Sequence, residues 1–319
     1  MATSSNVPSK PGFAKIFGAS GLTLGLITPL EGYPRSPFPS LIRHAERAQL
    51  AEQAGFASLW LRDVPFYDPS FGDVGQVFDP FVYLGYLAAK TRSISLGTAG
   101  ILAPLRHAAL VAKQAASVDQ LSGGRFVMGL ASGDRPSEYP AMGVNFGDRE
   151  ERFRESMSVI RQLGSSRFPK IQSSYGGVLD GSLDLVPKPL DGAVPMLVIG
   201  QARQSIEWIA ENADGWISYV SHPAKLQMTL NAWRSALPAG LHKPYGYATF
   251  FDLDSDPNTN ARMDNGALIG GRNALVALWK EQEAWGVKHV ALNLKPMRRK
   301  FEDVAQEFGE HILPHFPNG

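Results

Sequence analysis

Cysteine is missing from all 319 residues, which removes disulfides, thiolate nucleophiles and zinc–thiolate sites at once. Excess charge is also missing: 31 Lys and Arg stand against 30 Asp and Glu, with no basic stripe or acidic tail. Nucleic acid and anionic membrane are therefore poor partners for this chain. No apolar run reaches the roughly 18 residues of a membrane-spanning helix. The opening "MATSSNVPSKPGFAKIFG" lacks the apolar core of a signal peptide, so a soluble, cytoplasmic protein is expected. The seven histidines are scattered without H-x-H or H-E-x-x-H spacing, and no metal site is expected. Neither a G-x-S-x-G elbow, a Walker loop nor a strand-linked G-x-G-x-x-G fingerprint is present.

What is present is a rhythm. Strand-like apolar runs fall at 21–27, 57–61, 94–98, 125–130, 195–200, 216–220, 245–251 and 289–294. Most are followed by segments of helical period, such as 107–121 with Val111, Ala115 and Val118 on one face, or 203–213 with Ile206, Ile209, Ala210 and Ala213. Strand then helix, repeated in this way, predicts a (β/α)8 TIM barrel over 21–319, with residues 1–20 as an N-terminal extension. A doubly wound open sheet is the second fold the pattern allows, though it would bring fewer strands and a Gly-rich first turn. Three connections exceed an ordinary loop: 62–78 after strand 2, 164–194 before strand 5 and 252–271 after strand 7. The second reads as an inserted hairpin. The other two follow strand C-termini, where a barrel keeps its site, and are candidate lids.

Three stretches concentrate chemistry. In "VIGQARQS", Gly200 to Ser205 join a strand end to a helix start, aiming backbone N–H groups at one point and adding the donors of Arg203, Gln204 and Ser205. That suits a phosphate, and Ser205 suits a helix cap equally well. A rival phosphate loop is "LIGGRN" at 268–273. After strand 4, "GLASGDRPSEYPAMG" brings Arg135, Glu138 and Tyr139 to the pocket mouth, although the same residues serve as turn formers. After strand 2, Arg62 and Asp63 read as a pocket ion pair or a structural bridge, and Phe66 and Tyr67 as part of an aromatic flap. Such a flap suits a planar or partly apolar small-molecule substrate. Arg62, Arg106 and Arg135 equally suit one with an acid group.

From residue 20 to the C-terminus, and most specifically in "ISLGTAGILAPLRHAALVAKQAASVDQLSGGRFVMGLASGDRPSEYPAMG" at 94–143, the chain resembles the bacterial luciferase-like flavin-dependent oxidoreductases. "GFASLWLRD" and "ENADGWISY" match further blocks of that family. The resemblance implies FMN, or in some branches a deazaflavin coenzyme, at the C-terminal mouth of a barrel. Its phosphate would lie on Gly200, Gln201, Ala202, Arg203, Gln204 and Ser205, with Ser132 and Gly133 assisting from strand 4. Thr98, Ala99 and Gly100 would lie beneath the ring, with a non-proline cis peptide at Ala99–Gly100. It also implies a homodimer and, for a two-component monooxygenase, a separate NAD(P)H-flavin reductase as partner. A hydride-transferring deazaflavin enzyme and a non-catalytic flavin-binding paralogue are the alternatives. One departure stands out: luciferases place a catalytic histidine just after strand 2, where this chain reads "LRDVPFYDP". Arg62 and Asp63 are the candidates left to polarise substrate or flavin there.

Overall fold

The computed structural model describes residues 10–219 and 223–317, so Val220 of the sixth expected strand and residues 1–9 of the N-terminal extension lie outside it. Eight parallel strands form the barrel: β1 Thr23–Ile27, β2 Ser58–Leu61, β3 Ser95–Thr98, β4 Phe126–Ala131, β5 Met196–Ile199, β6 Gly215–Tyr219, β7 Tyr245–Leu253 and β8 His289–Asn293. They pair in chain order, and β8 returns to β1 with Thr23 opposite His289 and Ile27 opposite Asn293. Closure leaves the barrel no free edge. Helices such as Ala108–Ser122 and Arg149–Ser165 lie between strands, as the strand–helix rhythm predicts.

Alternation along each strand sends residues to two cores. Leu24, Leu26, Leu59, Leu61, Leu96 and Met128 belong to the layer shared with the helices. Ile27, Trp60, Val127, Leu197, Ile217, Ala248 and Ala291 form a separate cluster inside the barrel. Trp60 and His289 are the large groups of that interior, and a Cβ on Gly97 would overlap the Trp60 ring, while one on Gly25 would collide with Ser58 and His289. Both glycines are required by close approach.

The N-terminal end of the barrel is closed by the helix Pro11–Phe17, whose Phe13, Ile16 and Phe17 join the interior cluster. Ser95 donates to Gly12 O at 3.0 Å, and Gly12 N to Gly124 O at 3.0 Å. The segment read as an extension thus supplies part of the core. Of the long connections, 164–194 carries the antiparallel pair Lys170–Ser173 and Gly177–Asp180. The segment 252–271, expected as a lid, is instead built into the sheet: Ala267–Gly270 runs parallel to the last residues of β7 and pairs with Arg262–Asp264. Its ladder satisfies backbone groups that a mobile loop would leave to water.

His289 is buried and bonded on both ring nitrogens. Trp60 Nε1, which can only donate, points at Nε2 over 3.0 Å, so the ring proton sits on Nδ1 and is donated to Thr23 Oγ1 at 2.8 Å. Thr23 passes its own proton to Ile16 O at 2.7 Å, tying the plug helix to the barrel. Burial drives the imidazole down to about 3 from its ordinary 6.5. Between those values the unfolded chain carries a proton the native chain refuses, so this stability is present above pH 6.5 and lost as pH falls toward 3. Urea denaturation of the wild type against His289→Gln should show an extra wild-type loss of about 1.4 kcal/mol per pH unit across that window. Parallel pH profiles would contradict the assignment.

Candidate functional site

At the C-terminal end of the barrel, the loop after β5 turns sharply, with φ +65° at Gly200, +47° at Ala202 and +64° at Arg203. Gly200 N donates to Ile217 O at 2.8 Å, and its carbonyl accepts from Trp216 Nε1 at 2.5 Å. Gln204 is buried and committed: Oε1 accepts from Arg154 at 2.6 Å and Nε2 donates to Glu150 O and Ala202 O, each at 3.1 Å. Ser205 Oγ caps the helix Ile206–Asn212 by accepting from Trp208 N at 3.2 Å. Among the described residues, the backbone N–H groups of Gln201, Ala202, Arg203 and Ser205 and the Arg203 guanidinium have no partner. Those are donors of the kind an anionic group takes up. In the rival loop, Arg272 is paired with Glu307 at 3.0 Å.

β3 ends in the cis peptide Ala99–Gly100, after which Ile101–Leu102 rejoins β4. Thr98 is buried, with its hydroxyl donating to Gly129 O at 2.8 Å and accepting from Gly129 N at 2.9 Å. Beyond β4, Ser132 is buried, Gly133 has φ +79°, and Ser132 O accepts from the Tyr139 hydroxyl.

Arg62 and Asp63 point to different partners. Asp63 grips Arg106 with both oxygens, at 2.7 and 2.8 Å, and accepts from Leu102 N at 3.0 Å. It is a structural tie between β2 and the end of β3. Arg62 Nη1 pairs with Asp73 in the flap. Burial raises the Asp73 carboxyl, but the Arg62 charge and donors from Gly75 and Tyr33 outweigh it and hold the group below its ordinary range. Gln76, buried in the same segment, accepts from Arg62 N at 2.9 Å and donates to Arg62 O at 2.5 Å, imitating a neighbouring strand.

The flap is latched to the loop after β4. Arg135 Nη2 donates to Asp73 O at 2.9 Å, its guanidinium lies 4.7 Å from the Phe71 ring centre, and Ser137 donates to Asp68 at 2.6 Å. Phe66 and Tyr67 are 45% exposed and Phe71 41%, with Phe38 against Tyr67 at 4.8 Å, giving an apolar rim open to the mouth. Glu138 is almost wholly buried, 3.8 Å from Arg135 Nη1. Burial pushes its carboxyl up to about 7, Arg135 opposing and Asp63, Asp134 and Asp68 adding to the rise.

The structure thus leaves Arg62 partly exposed and Phe66 and Tyr67 exposed in the segment after β2, with Arg135 and Glu138 buried behind it, while Asp63, Thr98, Gln204 and Tyr139 are occupied in holding the walls. Sequence reasoning missed Asp73 and Gln76, which anchor the flap; the paired Gly72 and Gly75, both with φ +60°, were the available signal. It also missed Lys295, just past β8, whose Nζ donates to Ser36 O at 2.9 Å and Gly72 O at 3.0 Å. Among the described residues no cluster of His, Asp or Glu has metal-holding geometry, and no helix is long and apolar enough to cross a membrane.

A closed parallel barrel with an anion-ready loop after β5 and a flap after β2 defines a class of barrel proteins whose site lies at the strand C-termini. The family model described as "Luciferase-like monooxygenase" matches residues 22–250, and the chain belongs to that family. It is 30% identical over 173 residues to 4-hydroxyprotoasukamycin monooxygenase of Streptomyces nodosus subsp. asukaensis, a match covering 54% of this chain and 45% of that protein. The chain therefore spans under half the length of that relative. The fold is shared with monooxygenase RslO1 from Streptomyces bottropensis, at TM-score 0.78 and 22% identity over 92% of this chain and 100% of that one. It is shared too with the coenzyme F420 dependent tetrahydromethanopterin reductase of Methanopyrus kandleri, at 0.72 and 17%, covering 93% and 99%. A third likeness, at 0.69 and 14% covering 92% and 98%, is the oxygenating constituent of 3,6-diketocamphane monooxygenase from Pseudomonas putida in complex with FMN.

Asp63→Asn should take the charged partner from Arg106 Nε and leave the guanidinium only Asp79, costing about 2 kcal/mol in urea unfolding, as losing a charge-assisted hydrogen bond does. Adding Arg106→Met should recover much of that loss; additive losses would mean that the pair is not coupled.

Proposed function

We propose that the protein is a flavin-dependent oxidoreductase, acting as a two-component monooxygenase that uses reduced FMN and O2 on a small organic substrate. The observation carrying this reading is the loop Gly200–Ser205, whose unpartnered N–H groups and free Arg203 suit a phosphate at the barrel mouth of a chain in this family. The donor set fits an FMN phosphate: Gln201, Ala202, Arg203 and Ser205 would hold it through backbone N–H groups, Arg203 through its guanidinium as well. Gln204 and the Ser205 cap shape the loop from behind. Ala99 and Gly100 would offer small surfaces to the ring, and Ser132 and Gly133 would assist at the phosphate from the end of β4. A reduced flavin supplies electrons and, with O2, oxygen-transfer power. The chain's own part is to bind, orient and keep water out, through the apolar rim of Phe66, Tyr67 and Phe71, and to hold a proton on Glu138 near neutrality. A homodimer and a separate reductase delivering reduced flavin belong to the same proposal.

A deazaflavin-dependent hydride-transfer enzyme is the second reading, favoured by the likeness to the F420 dependent reductase. Fold alone does not choose between them. Anaerobic titration with FMN and with a deazaflavin coenzyme, each oxidised and reduced and then exposed to oxygen, separates the two. Tight binding of reduced FMN with oxygen consumption is expected; selective deazaflavin binding supports the second reading, and binding of neither overturns both. In the same assay Arg203→Ala should weaken FMN about tenfold, the usual loss for a charge-assisted hydrogen bond. Unchanged affinity would move the phosphate to another loop.

A further inference from the structure

Three arginines near the mouth suit an acidic substrate, and the structure separates them. Arg106 is taken up by Asp63 and by Asp79, at 2.8 Å from the latter, while Arg135 gives Nη2 to Asp73 O, lies against Phe71 and keeps an unpartnered Nη1 buried 3.8 Å from Glu138, out of a ligand's reach. Arg62 is different. Alternation continued one residue past β2 puts it on the inward side with Ser58 and Trp60, one step above the packed interior. Its backbone is held by Gln76 and its Nη1 by Asp73, yet Nε and Nη2 have no partner among the described residues. Asp73 has little left to offer them, since Oδ1 already accepts from Tyr33 and Gly75, each at 3.0 Å, and Oδ2 from Nη1. Lys295 adds a second positive charge near Asp73, with its Nζ held on two backbone carbonyls. Two cations and one carboxylate leave this side of the mouth positive.

Across the opening stands Tyr219. In an eight-membered ring β6 is diametrically opposite β2, and Tyr219 shares the inward face of β6 with Ile217. The charges of Arg62 and Asp73 both act on its hydroxyl, the first lowering and the second raising its ionisation. Tyr219 is 53% exposed as a residue, and partial desolvation of its hydroxyl raises the ionisation to about 12, so the phenol stays protonated and serves as a donor. Its ring lies 6.0 Å from that of Phe250 on β7. A positive fork and a neutral donor on opposite strands of the mouth, with the exposed rings of Phe66, Tyr67 and Phe71 on the segment that follows Arg62, suit a planar acid.

We propose that Arg62 and Tyr219 set substrate specificity by receiving a carboxylate on a planar, partly apolar substrate. This rests on the oxidoreductase reading for the substrate's fate, though not for its binding. The test is calorimetric titration of the purified protein, with and without FMN, using benzoate and its neutral analogue benzamide. Benzoate should bind at least about tenfold more tightly than benzamide. Arg62→Gln should abolish the preference with benzamide and FMN affinities unchanged. Arg62→Lys, which keeps the charge beside Asp73, should retain only part of it. Tyr219→Phe, which removes one hydroxyl and leaves the Arg62–Asp73 pair intact, should weaken benzoate several-fold and benzamide not at all. Equal binding of the two probes to the wild type, or a preference surviving both Arg62→Gln and Tyr219→Phe, overturns the proposal. So does a parallel loss of FMN affinity in Arg62→Gln, which would assign Arg62 to the flavin. A chain that prefers benzoate yet binds no flavin would sink the oxidoreductase reading alone.

Discussion

The inside of a closed barrel has to be filled, and here the hydrogen bond from Trp60 to His289 determines how. An indole and an imidazole, from strands on either side of β1, occupy a space that glycines at 25 and 97 keep clear. Polar atoms placed so deep need partners, and they find them in each other, in Ser58 and in Thr23. Because Thr23 also holds Ile16 O, the same network seats the plug helix below. Above, it fixes the level of the floor: the next position in the alternation after Trp60 is Arg62, just past the end of β2, which therefore emerges at the mouth.

Charge at that mouth is arranged by the same economy. Buried carboxylates are tolerated where a cation or several donors meet them, and Asp63 and Asp73 both satisfy that condition. Glu138 satisfies it poorly, at 3.8 Å from its nearest cation, and responds by holding its proton to about 7. The flap after β2 is consequently neither free nor rigid in the manner of a strand. It is anchored by Asp73, Gln76 and Ser137 at a few points, and leaves its aromatic side chains facing solvent.

Family membership fixes the barrel and leaves the chemistry to particular side chains. Structures that share this fold include a monooxygenase with FMN and an F420 dependent reductase, so individual side chains at the strand ends, such as Arg62, carry information about activity that the topology does not. The missing histidine after β2 and the presence of Arg62 in that region are of this kind.

Periodicity alone located the eight strands and the long connections, because alternation and helical spacing are local properties, while the pairing that closes β8 on β1 and excludes a doubly wound sheet is seen only in the structure. The loop Gly200–Ser205 was legible for the same reason: a strand end, a glycine and small donors lie next to one another in the chain. Pairing was not legible. That Asp63 belongs to Arg106, 43 residues away, and Arg62 to Asp73, is a matter of which strand ends meet across the mouth. Nor did the sequence reveal that residues 11–17 close the barrel floor or that 267–270 extend its sheet, since both depend on contacts with distant strands. Local pattern decides what a segment can become, and only packing against partners remote in sequence decides which of its polar groups are spent and which remain free.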